Sequence, residues 1–177
     1  MLINSKIISL ISSKLKSYLK DKDILDIILF GSAIKGKAMP NDIDIAVITR
    51  KDIKISEEVF HASILSPDDF FLNPPTLTNT LLREGYSLKH KRAFVENFKF
   101  ISKVLFRYDL TGLSASNKVR IVNILRGKAG GRGLVEENNG EWLANQVFTV
   151  FPKNEHIFEK FLLNSSVKFK KIYILMH

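Results

Sequence analysis

Two aspartates one residue apart, Asp42 and Asp44, stand at the head of an apolar segment that runs to Ile48, and a second apolar segment, residues 24–30, runs directly into Gly31-Ser32. A strand holds successive side chains on opposite faces, so Asp42 and Asp44 are expected to point one way while Ile43, Ile45 and Val47 point into a core. Two like charges forced side by side are unfavourable unless a cation sits between them. Hard oxygen ligands on a rigid strand suit Mg²⁺, which keeps its waters and accepts phosphates. Upstream, Gly31 permits a sharp backbone turn, and a short helix expected over residues 32–37 would offer free N–H groups to an anion, with the Ser32 hydroxyl as a further donor. A phosphate grip on one side and metal ligands on the other is what transfer of a nucleotidyl group requires.

A chain of 177 residues with 45% hydrophobic content can bury a real core, in one domain or two small ones. It contains no cysteine, which rules out a disulfide framework and a thiolate zinc site and fits an intracellular, cytoplasmic protein. No apolar run approaches the ~20 residues that span a bilayer, so no membrane partner is expected. The lysine-rich, acid-free N-terminus has the superficial look of a transit peptide but lacks arginine. Its Ile7, Ile8, Ile11, Leu15 and Leu19 make one helical stripe, which predicts a first helix packed on the core.

Strands are expected over residues 24–30, 42–48 and 59–65. Ser66-Pro67 then opens one helix, and another over residues 75–84 stops at Gly85. A short strand at 86–88 and a polar stretch at 89–97 close this part. Beyond it, Phe98, Phe100, Val104, Phe106 and Tyr108 alternate along one long strand. Ser114 caps a helix to Arg126 that carries Val119, Val122 and Leu125 inward. Asn138-Asn139-Gly140 is a hairpin signal between two strands, and a helix over 152–163 and a strand over 167–176 follow. The resulting order, β-α-β-β-α-β, is the ferredoxin-like arrangement. The expectation is an α/β (α+β) protein with domains at residues 1–92 and 97–177.

Gly31-Ser32, nine intervening residues and Asp42-Ile43-Asp44, set within "ILFGSAIKGKAMPNDIDIAVI", closely resemble the Gly-Ser…Asp-x-Asp signature of the DNA polymerase beta-type nucleotidyltransferases. The resemblance spans about the first 90 residues. It implies a mixed-sheet nucleotidyltransferase fold and transfer of a nucleoside monophosphate from an NTP, ATP foremost, to a hydroxyl, with one or two Mg²⁺ ions and release of pyrophosphate. Carried onto this chain, Gly31 and Ser32 would hold the triphosphate, with Lys35 as a further nucleotide-binding candidate, and Asp42 and Asp44 would ligate the metal. Active members usually show a third carboxylate on a neighbouring strand. Here the matching segment is "VFHASIL", and its polar position is His61, with Glu58 and Asp69 as substitutes in another register. A histidine accepts a proton or binds metal in its neutral form, but it brings no negative charge to a second Mg²⁺. Two function classes therefore stand side by side: an enzyme that adds nucleotides, and a regulatory module that binds nucleotide or RNA on the same fold.

The formal charge of +9 is unevenly placed. Residues 1–97 carry 14 Lys/Arg against 12 Asp/Glu, and residues 98–177 carry 13 against 6. Such asymmetry points to a polyanion, RNA above all. Lys99, Lys103 and Arg107 are expected on the open face of the long strand, while Lys118, Arg120, Arg126, Lys128 and Arg132 surround closely spaced glycines that could follow a phosphate backbone. The aromatic signature with which RNA-binding domains of this topology stack bases is missing, so contact would run through phosphates and shape.

Overall fold

The apolar stripe of the N-terminus winds into two consecutive helices, α1 (Ser5–Lys14) and α2 (Lys16–Lys20), in a computed structural model that describes residues 5–34, 42–56, 59–128 and 130–177. Ile11 and Leu15 are fully buried, with Ile7, Ile8 and Leu19 packed around them, as the helical spacing requires. The chain divides into two compact units, Met1–Ile101 and Ser102–His177.

The first unit is built on a mixed sheet of order β3-β2-β1-β4-β5, comprising β1 (Ile24–Leu29), β2 (Ile43–Thr49), β3 (Phe60–Leu65), β4 (Tyr86–Ser87) and β5 (Arg92–Ala93). β1 pairs antiparallel with β2, placing Leu29 opposite Ile45, whereas β2 pairs parallel with β3, placing Asp44 opposite His61 and Ile48 opposite Leu65. Both faces of the two central strands are covered. Ile27, Leu29, Ile43, Ile45 and Val47 join Ile11 and Leu15 on one side, while Ile28, Ala46 and Ile48 pack with Phe70, Leu81 and Phe94 on the other. Burial on both faces produces near-continuous apolar runs, which is why these strands stand out in the sequence. A register shift between Ile24 and Asp26 lets Ile24 join the Ile27 side out of strict alternation.

The helices of this unit start and stop where their caps dictate. Ser66 Oγ accepts from Asp69 N at 3.0 Å and Asp69 Oδ2 accepts from Ser66 N at 3.2 Å, a reciprocal cap for α3 (Pro67–Phe71). α4 (Thr76–Glu84) lies between Pro75 and Gly85. A 3-10 turn, Phe94–Phe98, then places Phe94 and Phe98 against the ring of Phe70. Phe98 is therefore core of the first unit and does not lie on the following strand. The left-handed backbone of Lys99 (φ 61°) breaks the expected alternation, and the strand begins only at Ile101.

The second unit runs β6 (Ile101–Asp109), α5 (Ala115–Arg126), α6 (Leu134–Glu137), β7 (Glu141–Ala144), β8 (Val147–Val150), α7 (Glu155–Asn164) and β9 (Lys168–Met176). Its sheet order, β7-β8-β6-β9, is the ferredoxin-like one expected. Val104, Phe106 and Tyr108 of β6 meet Phe148 and Val150 of β8 under Ile121, Leu125, Phe158 and Leu162 of the helices. Two details differ from the sequence reading. The segment before Asn138-Asn139-Gly140, expected as the first strand of the hairpin, is the short helix α6, and the hairpin turns instead at Asn145-Gln146, where Gln146 takes a positive φ of 60°. On α5 the buried pair is Ile121 and Leu125, four apart, while Val119 faces solvent.

Asp26 lies buried in β1 and holds three parts of the first unit together. Its Oδ1 accepts from Ser87 Oγ and from Ile27 N, each at 2.8 Å, and its Oδ2 accepts from Asn97 Nδ2 at 3.4 Å. Burial pushes its carboxyl above the ordinary range, and the Ser87 hydrogen bond offsets part of that rise. Because the folded value lies above the unfolded one, this group's favourable contribution is complete in acid and is lost as pH rises through the folded value. The stability of Asp26→Asn relative to the unsubstituted protein is therefore expected to improve from acid to neutral pH. Urea melts of both proteins across that range check this, and a constant difference would contradict it.

Candidate functional site

The site forms where β1 gives way to the turn that follows it. Phe30 N donates to Asp44 O at 3.1 Å, which extends the β1–β2 ladder to the second residue of β2. The chain then enters a 3-10 turn, Gly31–Ala33, through a left-handed Gly31 (φ +73°). Ala33 and Ile34 are buried in the core, so they anchor the turn from behind and leave Gly31 and Ser32 half-buried at the sheet end. The missing side chain at Gly31 is filled by a functional group. A Cβ there would collide with Oδ2 of Asp44 and stand 3.3 Å from its Cγ.

The parallel register of β2 and β3 sets the third member. Asp44/His61, Ala46/Ser63 and Ile48/Leu65 form successive cross-strand rows, and the face changes from polar to apolar along them, with Ile48 and Leu65 in the cluster around Phe70. His61 Nδ1 lies 3.4 Å from Asp44 Oδ1, with the imidazole 82% exposed and the carboxylate 31% exposed. A carboxylate beside Nδ1 favours the tautomer that carries its proton there, leaving the Nε2 lone pair free for a proton or a metal.

Gly31, Asp44 and His61 are thus brought together. Asp42 is exposed immediately before β2, and Ser32 adjoins Gly31 in the turn. Lys35 and Glu58 lie outside the described residues. Asp69 is committed elsewhere: its carboxylate caps α3 and is held below the ordinary range by the Ser66 hydroxyl and then by the Ser66 backbone N–H. Among the described residues no group of three or more His, Asp or Glu side chains is gathered to hold a metal. Asp42 and Asp44 carry hard oxygen donors of the kind that suit Mg²⁺, and His61 adds an imidazole beside Asp44.

The basic candidates separate into two groups. Lys99 lies before β6 in the first unit, so it is not on the open face of the long strand. Lys103 is on the expected face but buried, with its ammonium 4.0 Å from the centre of the Phe151 ring and 3.9 Å from Glu141 Oε1. Arg107 is exposed near Asp109, whose carboxyl is held down by Thr111 foremost and, to a smaller extent, by the charges of Lys168 and Arg107. Lys118, Arg120, Arg126, Lys128 and Arg132 are all exposed. Sequence reasoning missed Trp142, over whose ring the Arg126 guanidinium lies at 3.9 Å, because the two are far apart in the chain and nothing local signals the stack.

In a scan of protein-family models, the model described as "Polymerase beta, Nucleotidyltransferase" matches residues 13–130. The match covers the Gly-Ser turn, both aspartates and His61, and it continues past the first unit through β6 and α5. Neither the curated proteins nor the solved structures gave a match.

The close fit of Gly31 and Asp44 is open to a double-variant test. Gly31→Ala is expected to lower stability by about 1–2 kcal/mol, the penalty of a left-handed backbone, with the clash added to it. Asp44→Ala in the same chain should recover part of that loss, because the vacated carboxylate makes room. Urea unfolding of both single variants and the double variant measures the coupling. Strict additivity would show that the two residues do not touch.

Proposed function

Since this chain belongs to the polymerase beta nucleotidyltransferase family, we propose that it transfers a nucleoside monophosphate from an NTP, ATP foremost, to a hydroxyl acceptor, using Gly31, Ser32, Asp42, Asp44 and His61. The observation that carries this reading is the Asp44 carboxylate seated against the Gly31 backbone with His61 beside it. In this reading the turn's N–H groups and the Ser32 hydroxyl bind the triphosphate, and Lys35 adds a cation to it. Mg²⁺ at Asp42 and Asp44 would supply charge neutralisation on the phosphates and a more acidic acceptor hydroxyl. His61, oriented through Nδ1 by Asp44, takes the acceptor proton at Nε2. The new bond joins the acceptor oxygen to the α-phosphorus, the α–β anhydride bond breaks, and pyrophosphate leaves. An NTP-consuming reaction and the absence of cysteine suit a cytoplasmic protein.

A second reading is favoured by one feature, the imidazole at the position where a third carboxylate belongs. With it the site binds nucleotide and a single metal, and the protein acts as a regulatory module without turnover. Transfer of label from an α-labelled NTP to RNA, protein or small-molecule hydroxyls separates the two. For the enzyme, Asp44→Asn should cut transfer by at least about 100-fold and His61→Ala by about 10²-fold, the range of general-base contributions. His61→Asp should retain or raise the Mg²⁺-supported rate. Nucleotide binding with no transfer under any of these conditions would select the regulatory module.

A further inference from the structure

The second unit carries a surface that the nucleotidyl-transfer site does not use. α5 ends at Arg126, and the chain then runs through Gly127, Gly130, Gly131 and Gly133 before entering α6. This loop is folded back tightly on itself. A Cβ at Gly127 would collide with Gly131 O and come within 2.9 Å of Gly133 N, and one at Gly133 would collide with the backbone of Arg126 and Gly127. Gly127 also sits at φ +91° and Gly130 at φ +84°, and Gly131 N donates to Lys128 O at 3.0 Å. Glycine is therefore required at this loop for clearance and conformation, and the result is a packed backbone that displays Lys128 and Arg132 in solvent. Among the described residues neither cation has an ion-pair partner, and Glu136 and Glu137 follow in α6.

Beside the loop, the Arg126 guanidinium lies over the Trp142 ring, 3.9 Å from its centre, and its Nη2 donates to Asn145 Oδ1 at 3.4 Å. Trp142 in turn rests edge-on against Phe148 and Tyr108, which are core residues. An arginine held between an indole and an amide oxygen keeps its charge exposed while the orientations open to its planar head are restricted. Such a plane stacks on an unpaired base, and the flanking cations take the adjoining phosphates. A base within a duplex has both faces covered, and an acidic peptide offers no face to stack.

We propose that Arg126 on Trp142, together with Lys128 and Arg132 on the glycine loop, binds a single-stranded polynucleotide through one stacked base and its neighbouring phosphates. This deepens the proposed function by naming the acceptor class, and it rests on that function only in making the bound strand a substrate.

Fluorescence anisotropy of the full chain with a labelled 12-nucleotide RNA, the DNA of the same sequence and the corresponding duplex, over a range of salt, tests the surface. Single strands are expected to bind more tightly than duplex, and comparison of RNA with DNA identifies the source of the strand. Arg126→Lys keeps the charge and removes the plane, so affinity should fall about tenfold with the salt dependence unchanged. Lys128→Glu/Arg132→Glu changes two exposed side chains and should lower the slope of log K against log salt by about 1.4, two single-strand phosphate contacts. Equal binding by all these variants, equal affinity for duplex, or binding to anionic vesicles but to no oligonucleotide would overturn the proposal. The catalytic reading fails separately: Asp44→Asn should leave strand binding intact, and absence of label transfer in every variant would reject turnover without touching the surface.

Discussion

The contact between the Gly31 backbone and the Asp44 carboxylate organises the first unit's polar end. It exists because three independent features converge: a hydrogen bond from Phe30 N that carries β1 up to Asp44, a left-handed glycine without a side chain, and the buried Ala33 and Ile34 that hold the turn down. Any other residue at position 31 would drive the carboxylate away from the turn. The arrangement keeps the backbone of the turn and the Asp44 carboxylate, the phosphate grip and the metal ligand of the proposed function, adjacent with no flexible side chain between them, so their spacing is set by the sheet itself.

Much of this was readable in the sequence, for a physical reason. Strands buried on both faces give continuous apolar runs, and the two aspartates interrupt such a run where the sheet meets solvent, so the strand ends and the charged positions mark each other. The same logic places His61 correctly: a parallel partner strand of similar length, "VFHASIL", has few registers that keep Phe60 and Leu65 buried, and the one adopted puts the imidazole opposite Asp44. The helix starts at Ser66 and Ser114 follow from local capping chemistry and need no tertiary information, whereas Gly85 ends its helix with an extended backbone where a Cβ would meet Ile28 of β1.

What remained hidden depends on contacts between distant residues. The phenylalanines at 98 and 106 share a parity that suggested one strand face, yet Phe98 is recruited by Phe70 and Phe94 in a different core. Asn138-Asn139-Gly140 has the composition of a hairpin turn, but the preceding residues close a helical turn and the hairpin moves to Asn145-Gln146. Lys103 reads as a surface cation and is buried by Phe151 and Glu141. The Arg126–Trp142 stack and the Asp26 network likewise join segments that no window of sequence connects. The positive charge of the second unit is therefore divided between Arg107, Lys168 and Lys170, which remain exposed on the sheet strands, and the exposed cations at α5 and the glycine loop.

The central claim is that Asp42 and Asp44 hold a divalent cation beside a turn that grips a nucleotide's phosphates. Its most direct test is anomalous diffraction from crystals grown with Mn²⁺ and a non-hydrolysable NTP. The account predicts an anomalous peak within ligand distance, about 2.0–2.3 Å, of oxygens from both carboxylates, with the triphosphate on the Gly31-Ser32 turn. A nucleotide bound elsewhere, or well-ordered aspartates with no metal between them at saturating Mn²⁺, would contradict it.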